Sequence, residues 1–371
     1  MSELASQQAQ KPKEPLSVSR AFIWLKRNLF SSWFNTALTL LSLYVIWLVV
    51  PPFIDFAIVH AVWSGTSREA CLGPDAGACW PFIWANIDQF LYGRYPPSEV
   101  WRVYVVFGLG FIGLVPALIP AAPAKRFNLI FLLVAYPVIA VTLLAGGRPG
   151  LPPVDTSYWG GLLVTLVVAV TGIVISLPLG ILFALGRRSE MPAIRLVSII
   201  FIEFWRGVPL VTVLFMASVM LPLFLPEGVS LNNLLRCLIG VALFSSAYMA
   251  EVVRGGLQAI PKGQLEAARA GGLSYWQAMG LVVLPQALRH VIPGIVNTFI
   301  GLFKDTTLVL IVGIFDLLGQ VRSQLSDPHW SVPQGAVTGY LFAALVYWVF
   351  CFGMARYSAY MERRLNAGTR R

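Results

Sequence analysis

Six stretches of this chain run for twenty residues or more without a charged side chain: 28–54, 103–124, 127–147, 156–186, 207–226 and 328–355. At 1.5 Å per residue, about 20 apolar residues in a helix cross the hydrocarbon layer of a bilayer, so each stretch predicts a spanning helix. Two further stretches, 237–250 and 290–303, are shorter. The first predicts a span that extends outward past Arg236 to about Asn232, with the arginine snorkelling to the interface. The second is followed by Lys304-Asp305 and then by the apolar run 306–315. Joined, these predict one span interrupted by charge. The whole pattern predicts an all-α polytopic membrane protein with about eight transmembrane helices.

Composition agrees. Of 371 residues, 57% are hydrophobic and 12% charged, about half the charged share of a soluble domain. Mean hydropathy is +0.73. A water-soluble enzyme is excluded. The net charge of +10 would suggest nucleic acid in a soluble chain. Here the basic residues cluster between apolar runs, which fits membrane topology and gives no reason to expect a nucleic-acid partner. With the N-terminus inside, 20 Lys and Arg fall in inner segments and only Arg68, Arg94, Arg148 and Arg322 in outer loops. Both termini are therefore expected in the cytoplasm. The first run is longer than a signal-peptide core and reads as a retained anchor. Residues 1–19, with Gln, Ser, Lys and Pro, are expected to be disordered.

The chain divides into a polar tail, 1–32, a three-span module, 33–153, and a five-span core, 154–366. The module carries an outer loop, 62–100, dense in Trp, Tyr, Phe and Pro, and the Gly/Pro stretch Gly146–Pro153 marks its end. No internal repeat is evident, unlike the repeat-built secondary transporters. Cys237 and Cys351 fall in spans and read as small packers. Cys71 and Cys79 lie in the outer loop, where an oxidising compartment would let them pair and a reducing one would leave two thiols. No spacing suggests a metal site.

Gly108, Gly110 and Gly113 match a dinucleotide fingerprint, but inside an apolar span, where small residues serve close helix packing. No phosphate-binding loop, H-E-x-x-H or G-x-S-x-G occurs, so neither an enzyme nor a cofactor bound by this chain is expected. The segment 254–289 is too polar to span. It reads as two short helices, 264–270 and 274–280, broken at Gly271-Gly272, with Gly272 suited to a left-handed turn and Ser274/Gln277 to a capping box. Leu273, Trp276 and Met279 recur at helical spacing. That apolar face either packs back on the bundle or docks a cytoplasmic partner.

Glu266-Ala267-Ala268, Gly272, and Leu284-Pro285 preceded by Val282 resemble the EAA loop of ATP-binding-cassette importer permeases, E-A-A-x3-G-x9-I-x-L-P. Only the isoleucine differs, conservatively, as Val282. Glu203–Pro209, Tyr248–Gly256, Lys304–Leu308 and Met361–Leu365 are similar to the polar amino-acid branch, and Gly271 stands where that branch usually has leucine. Trp63–Cys71, Gly77–Trp80 and Tyr92–Pro96 resemble the M subunit of the general L-amino-acid permease. The resemblance implies a type I importer core, with Glu266, Ala267, Ala268, Gly272, Leu273, Trp276, Leu284 and Pro285 coupling to ATPases. It implies two ATPase subunits that carry the ATP-Mg, a second homologous permease chain and a periplasmic amino-acid-binding protein. It also implies a place in the bacterial inner membrane.

Charges at membrane depth cost roughly 2.5–3.5 kcal/mol each, so Lys304 and Asp305 need a reason. Either they pair or snorkel for structural purposes, or, with Thr306 and Thr307, they sit by a broken helix on the substrate path. Glu203/Arg206 and Glu251/Arg254, each three apart, are expected to form interfacial ion pairs. A gradient-driven carrier and a non-transporting scaffold are the rival readings, and the EAA pattern disfavours both.

Overall fold

In a computed structural model, residues 18–119 and 122–367 are described, and they form helices joined by short turns. The expected disorder of the N-terminal tail falls mostly outside these residues; Val18 already begins a helix. Two compact units form. One comprises the chain up to Val62 with Gly73–Ala78; the other comprises Trp63–Leu72 and everything from Cys79 onward.

The first unit contains α1 (Val18–Asn28) and α2 (Trp33–Val59). Ser32 starts α2 by accepting the Asn35 N–H at 3.2 Å, an N-cap that uses one of the free donors of the first turn. The span therefore begins five residues later than the uncharged run and passes through Pro51-Pro52 to a wider, π-type last turn. No residue of Trp33–Ile54 is buried, as for a helix meeting lipid all round. Gly73–Ala78 folds back onto its end, with Ala78 N–H donating to Phe56 O at 2.8 Å and Val62 N–H to Ala78 O at 2.9 Å.

In the second unit Cys71 and Cys79 form a disulfide, with Cα atoms 5.7 Å apart. Trp63 stacks on Trp80, and two short helices follow, α3 (Trp80–Ala85) and α4 (Ile87–Tyr92). Spans α5 (Trp101–Leu118), α6 (Phe127–Ala145) and α7 (Gly161–Arg187) come next. Gly110 and Gly113 let α6 approach α5: an added Cβ would lie 2.7 Å from Tyr136 Oη and from Leu132 Cδ2 respectively.

The run 207–226 is not a straight span. Helix α8 (Pro192–Gly207) precedes α9 (Leu210–Phe224) and bends from it by 104°, because Pro209 cannot continue the first helix and holds Val208 extended. Span α10 (Asn233–Ala259) starts where expected, with Asn232 capping Leu235 N–H at 2.7 Å. Arg236 does not snorkel, however. Its guanidinium donates to the Ser218 carbonyl of α9. The loop helices α11 (Lys262–Ala270) and α12 (Tyr275–Ala278) lead through a π-turn into α13 (Leu284–Asp305), and the apolar stretch Tyr275–Val312 reads as one long span. Helix α14 (Leu317–Gln324) and the last span α15 (Gly335–Ala367) complete the chain. Among the described residues seven helices are long and apolar enough to cross a membrane, and eight if the bent pair counts as one.

One core joins α5, α6, α7, α9, α10 and the end of α13 through Val103, Leu144, Val168, Leu214, Val241 and Leu302. A polar pin holds its edge. Arg102 is fully buried, 2.6 Å from the Glu99 carboxylate, and donates to Pro152 O at 2.9 Å. Truncating one member of such a pair strands the other charge, at about 3–5 kcal/mol. Arg102→Ala should therefore lower the detergent-solubilised protein's thermal midpoint sharply, and a scanning-fluorimetry melt unchanged within error would contradict this placement.

Candidate functional site

The loop between α10 and α13 is largely exposed. Helix α11 ends in a two-bond C-cap. The Leu273 N–H donates to Ala268 O at 3.2 Å and the Gly272 N–H to Arg269 O at 2.9 Å, with Gly272 at φ +86°. This is the Schellman arrangement, which requires the left-handed residue that glycine adopts without cost. Ser274 and Gln277 then form the full capping box, Gln277 N–H to Ser274 Oγ and Ser274 N–H to Gln277 Oε1 at 3.0 Å. Both turns are written into the local sequence, so the loop has a defined shape.

Its two sides differ. Leu265 and Tyr275 pack against a cluster made by Ala184 of α7, Met249, Val253 and Leu257 of α10, and Met279, Val283 and Ala287. A Cβ on Gly256 would lie 2.6 Å from Ala287 O, so α10 and the start of α13 nearly touch. Gln286 Nε2 donates to Gln264 Oε1 at 3.2 Å, tying α11 to α13. On the outer side Glu266 and Ala267 are exposed, Ala268 and Leu273 half-buried, and Trp276 is 69% exposed. The expected common face of Leu273, Trp276 and Met279 is not formed. Met279 is buried in the cluster and Trp276 is turned outward, because the capping box and the following π-turn rotate the two apart. Leu284 is half-buried and Pro285 exposed at the first turn of α13.

Charges gather where the loop meets the bundle. Glu251 takes Arg254 Nε at 2.9 Å as expected and also lies 3.6 Å from Arg206 and 3.9 Å from Arg187. Glu203 pairs with Arg187 at 2.8 Å, so the expected Glu203–Arg206 pair is replaced by cross-helix contacts among α7, α8 and α10. The 104° bend after α8 is invisible in the hydropathy, and α8 packs against both α7 and α10.

At the far end of α13, the helix tightens to 3₁₀ geometry over Thr306–Val312 and stops at Gly313, φ +78°. Lys304 is exposed, Asp305 and Thr307 are half-buried, and neither charge has an ion-pair partner among the described residues. Thr306 is turned inward: it is buried, donates to Phe303 O at 2.8 Å and lies 3.3 Å from Tyr347 Oη. Tyr347 in turn donates to Asp316 at 2.8 Å. Asp316 is fully buried and caps α14 by accepting Gly319 N–H at 2.9 Å. Burial raises its carboxyl above the usual range, while those hydrogen bonds pull it down. Asp316 is not among the residues that motif and charge patterns single out; its signal was an N-cap residue before Leu317-Leu318-Gly319.

The family described as the inner-membrane component of binding-protein-dependent transport systems matches residues 176–367, just over half the chain. The inner membrane amino-acid ABC transporter permease YhdY of Escherichia coli K12 is 52% identical over 360 residues, covering 96% of this chain and 97% of that protein. The chain belongs to this family of permease components. The glutamate/glutamine/aspartate/asparagine transport system permease BztC of Rhodobacter capsulatus is 42% identical, with 95% of each chain covered. A solved structure described as an amino acid ABC transporter with histidines aligns over 55% of this chain and 92% of its own, at 31% identity and a TM-score of 0.48. As a permease component the chain is a multi-pass transporter subunit, not an enzyme, and the importer resemblance read from the EAA motif holds.

The C-cap makes a specific prediction. Nothing lies within 4 Å of a Cβ on Gly272, so Gly272→Ala meets no clash and costs only the left-handed conformation, about 1–2 kcal/mol. Limited proteolysis of membranes should show faster cleavage between residues 262 and 280 for Gly272→Ala, with Gly272→Asn in between. Equal cleavage of all three would contradict the cap.

Proposed function

We propose that this chain forms half of the translocation path of an ATP-driven importer of L-amino acids. Its exposed loop receives two cytoplasmic ATPase subunits, which bind the ATP-Mg, while the chain itself carries no cofactor. A second, homologous permease supplies the other half, and a periplasmic binding protein delivers the substrate. The observation that carries this reading is the near full-length relation to a protein named as an amino-acid ABC transporter permease, together with a capped loop whose outer side is free and whose inner side is packed into α7, α10 and α13.

The mechanism follows from that packing. Glu266, Ala267, Ala268, Leu273 and Trp276 offer the contact, Gly272 sets the turn, and Leu284 and Pro285 start the helix that moves. A push on the loop reaches α13 through Met279 and Val283 and α10 through Leu257 and Gly256, so the spans tilt together between outward- and inward-open arrangements. The excess of Lys and Arg in the loop-side segments supports a cytoplasmic loop and cytoplasmic termini in a bacterial inner membrane. The family match begins only at residue 176, which supports reading 33–153 as a module added to a core over 154–366.

Among the described residues Lys304 and Asp305 have no ion-pair partner, and they lie beside a tightened turn, so Lys304 suits a substrate carboxylate and Asp305 a substrate ammonium, with Thr307 beside them. Thr306 serves this site indirectly by holding the turn to Tyr347. In membrane vesicles carrying the binding protein, uptake of labelled glutamine should require ATP and survive a protonophore. Lys304→Met and Asp305→Asn should lower uptake at least about tenfold, a loss of one charged contact, with assembly intact. Uptake that collapses with the proton gradient would contradict the importer reading, and unchanged kinetics in both variants would contradict the site.

A further inference from the structure

A cavity of about 800 Å³ opens where the end of α7, the start of α8 and the loop helices meet. At its edge α7 and α8 approach closely, since a Cβ on Gly186 would lie 2.2 Å from Ser198 Oγ. The wall is apolar, from Leu182, Met191, Ile194 and Val197, all exposed. The rim is polar. Arg188 and Arg269 line it with Glu190 as the opposing charge. Arg188 uses one nitrogen on Leu257 O at 3.0 Å, and Arg269 lies over the Tyr275 ring at 5.5 Å, which holds its side chain at the mouth.

Depth decides the occupant. The cavity lies at the terminal turn of a spanning helix, where acyl chains give way to headgroups. Its apolar wall is drawn from α7, the start of α8 and the turn before it, and its excess positive charge from the residue after α7 and from the loop. A free amino acid would leave the exposed wall wet, whereas one molecule with an anionic head and a long apolar tail matches both halves. Basic pockets between spans at this level suit acidic phospholipid headgroups.

We propose that this cavity is a binding site for an anionic diacyl phospholipid, its phosphate held by Arg188 and Arg269 and an acyl chain laid along Leu182, Ile194 and Val197. Because Arg269, Tyr275 and Trp276 belong to the loop, the bound lipid joins loop and membrane and steadies the ATPase-facing surface. The proposal rests on the importer reading only for that last step.

Native mass spectrometry of the full-length chain, purified in mild detergent with its partners and supplied with equal phosphatidylglycerol and phosphatidylethanolamine, tests it. Phosphatidylglycerol should remain bound to the unmodified protein at energies that strip phosphatidylethanolamine. Arg188→Gln and Arg269→Gln should each weaken retention about fivefold, and Val197→Trp, which fills the wall, should abolish it. Equal retention of the two lipids overturns the proposal, as does occupancy by inorganic phosphate alone. A double arginine variant that sheds a co-purifying protein while keeping its lipid overturns it too, since the cavity is then a protein interface. The unmodified protein decides between the lipids even if the variants fail to fold. A chain that keeps phosphatidylglycerol but purifies without an ATPase would overturn the importer reading alone.

Discussion

The second unit of this permease is arranged around the close contact of α10 with its neighbours. Lipid tails are as apolar as leucine, so spans are not driven together by the hydrophobic effect and must gain from tight packing. Small residues allow it. Gly180 of α7 meets Met249 so closely that an added Cβ would lie 2.6 Å from its Cγ, and Gly256 of α10 nearly touches the backbone of α13 at Ala287. Val241 and Leu302 pack against α7 at Gly172. Because α10 contacts α7, α8, α9 and α13, these helices cannot shift independently. The same helix runs directly into the exposed loop.

Polar groups follow from the same constraint. Inside a bilayer a backbone or charged group must find a partner within the protein, and here the main irregularities have one. Arg102 is pinned by Glu99 and Pro152 O, and the tightened end of α13 is held through Thr306, Tyr347 and Asp316. The cross-helix charges of Arg187, Glu203 and Arg206, near the ends of α7 and α8, meet Glu251 inside α10. Lys304 and Asp305 stand apart because neither has an ion-pair partner among the described residues.

Much of this was legible in the residues. Charge-free runs located the spans, and Gly272, Ser274 and Gln277 specified the loop turns, because caps and spans are local features. Partner choice was not local. Glu203 and Arg206 have the spacing of an ion pair, yet α8 packs on α7 and α10, where Arg187 meets the one and Glu251 the other. Trp276 and Met279 share a helical period, yet a π-turn separates their faces. Arg236 looked free to reach the interface, but α9 offers a carbonyl within reach. Asp316 offered only the signal of an N-cap residue, because its half-buried partner Tyr347 comes thirty-one residues later and because it caps a short helix too polar to be read as a span.

In the proposed importer the outer side of the loop receives an ATPase and its inner side carries the resulting motion into α10 and α13. A photo-crosslinking residue at Glu266, which is exposed and lies outside the lipid cavity, tests this directly in native membranes. The expected result is a crosslinked product containing an ATPase with a phosphate-binding loop, formed at Glu266 and absent when the same probe replaces Trp63. Crosslinking of Glu266 only to lipid or to this chain itself, in membranes that take up amino acids, would contradict it.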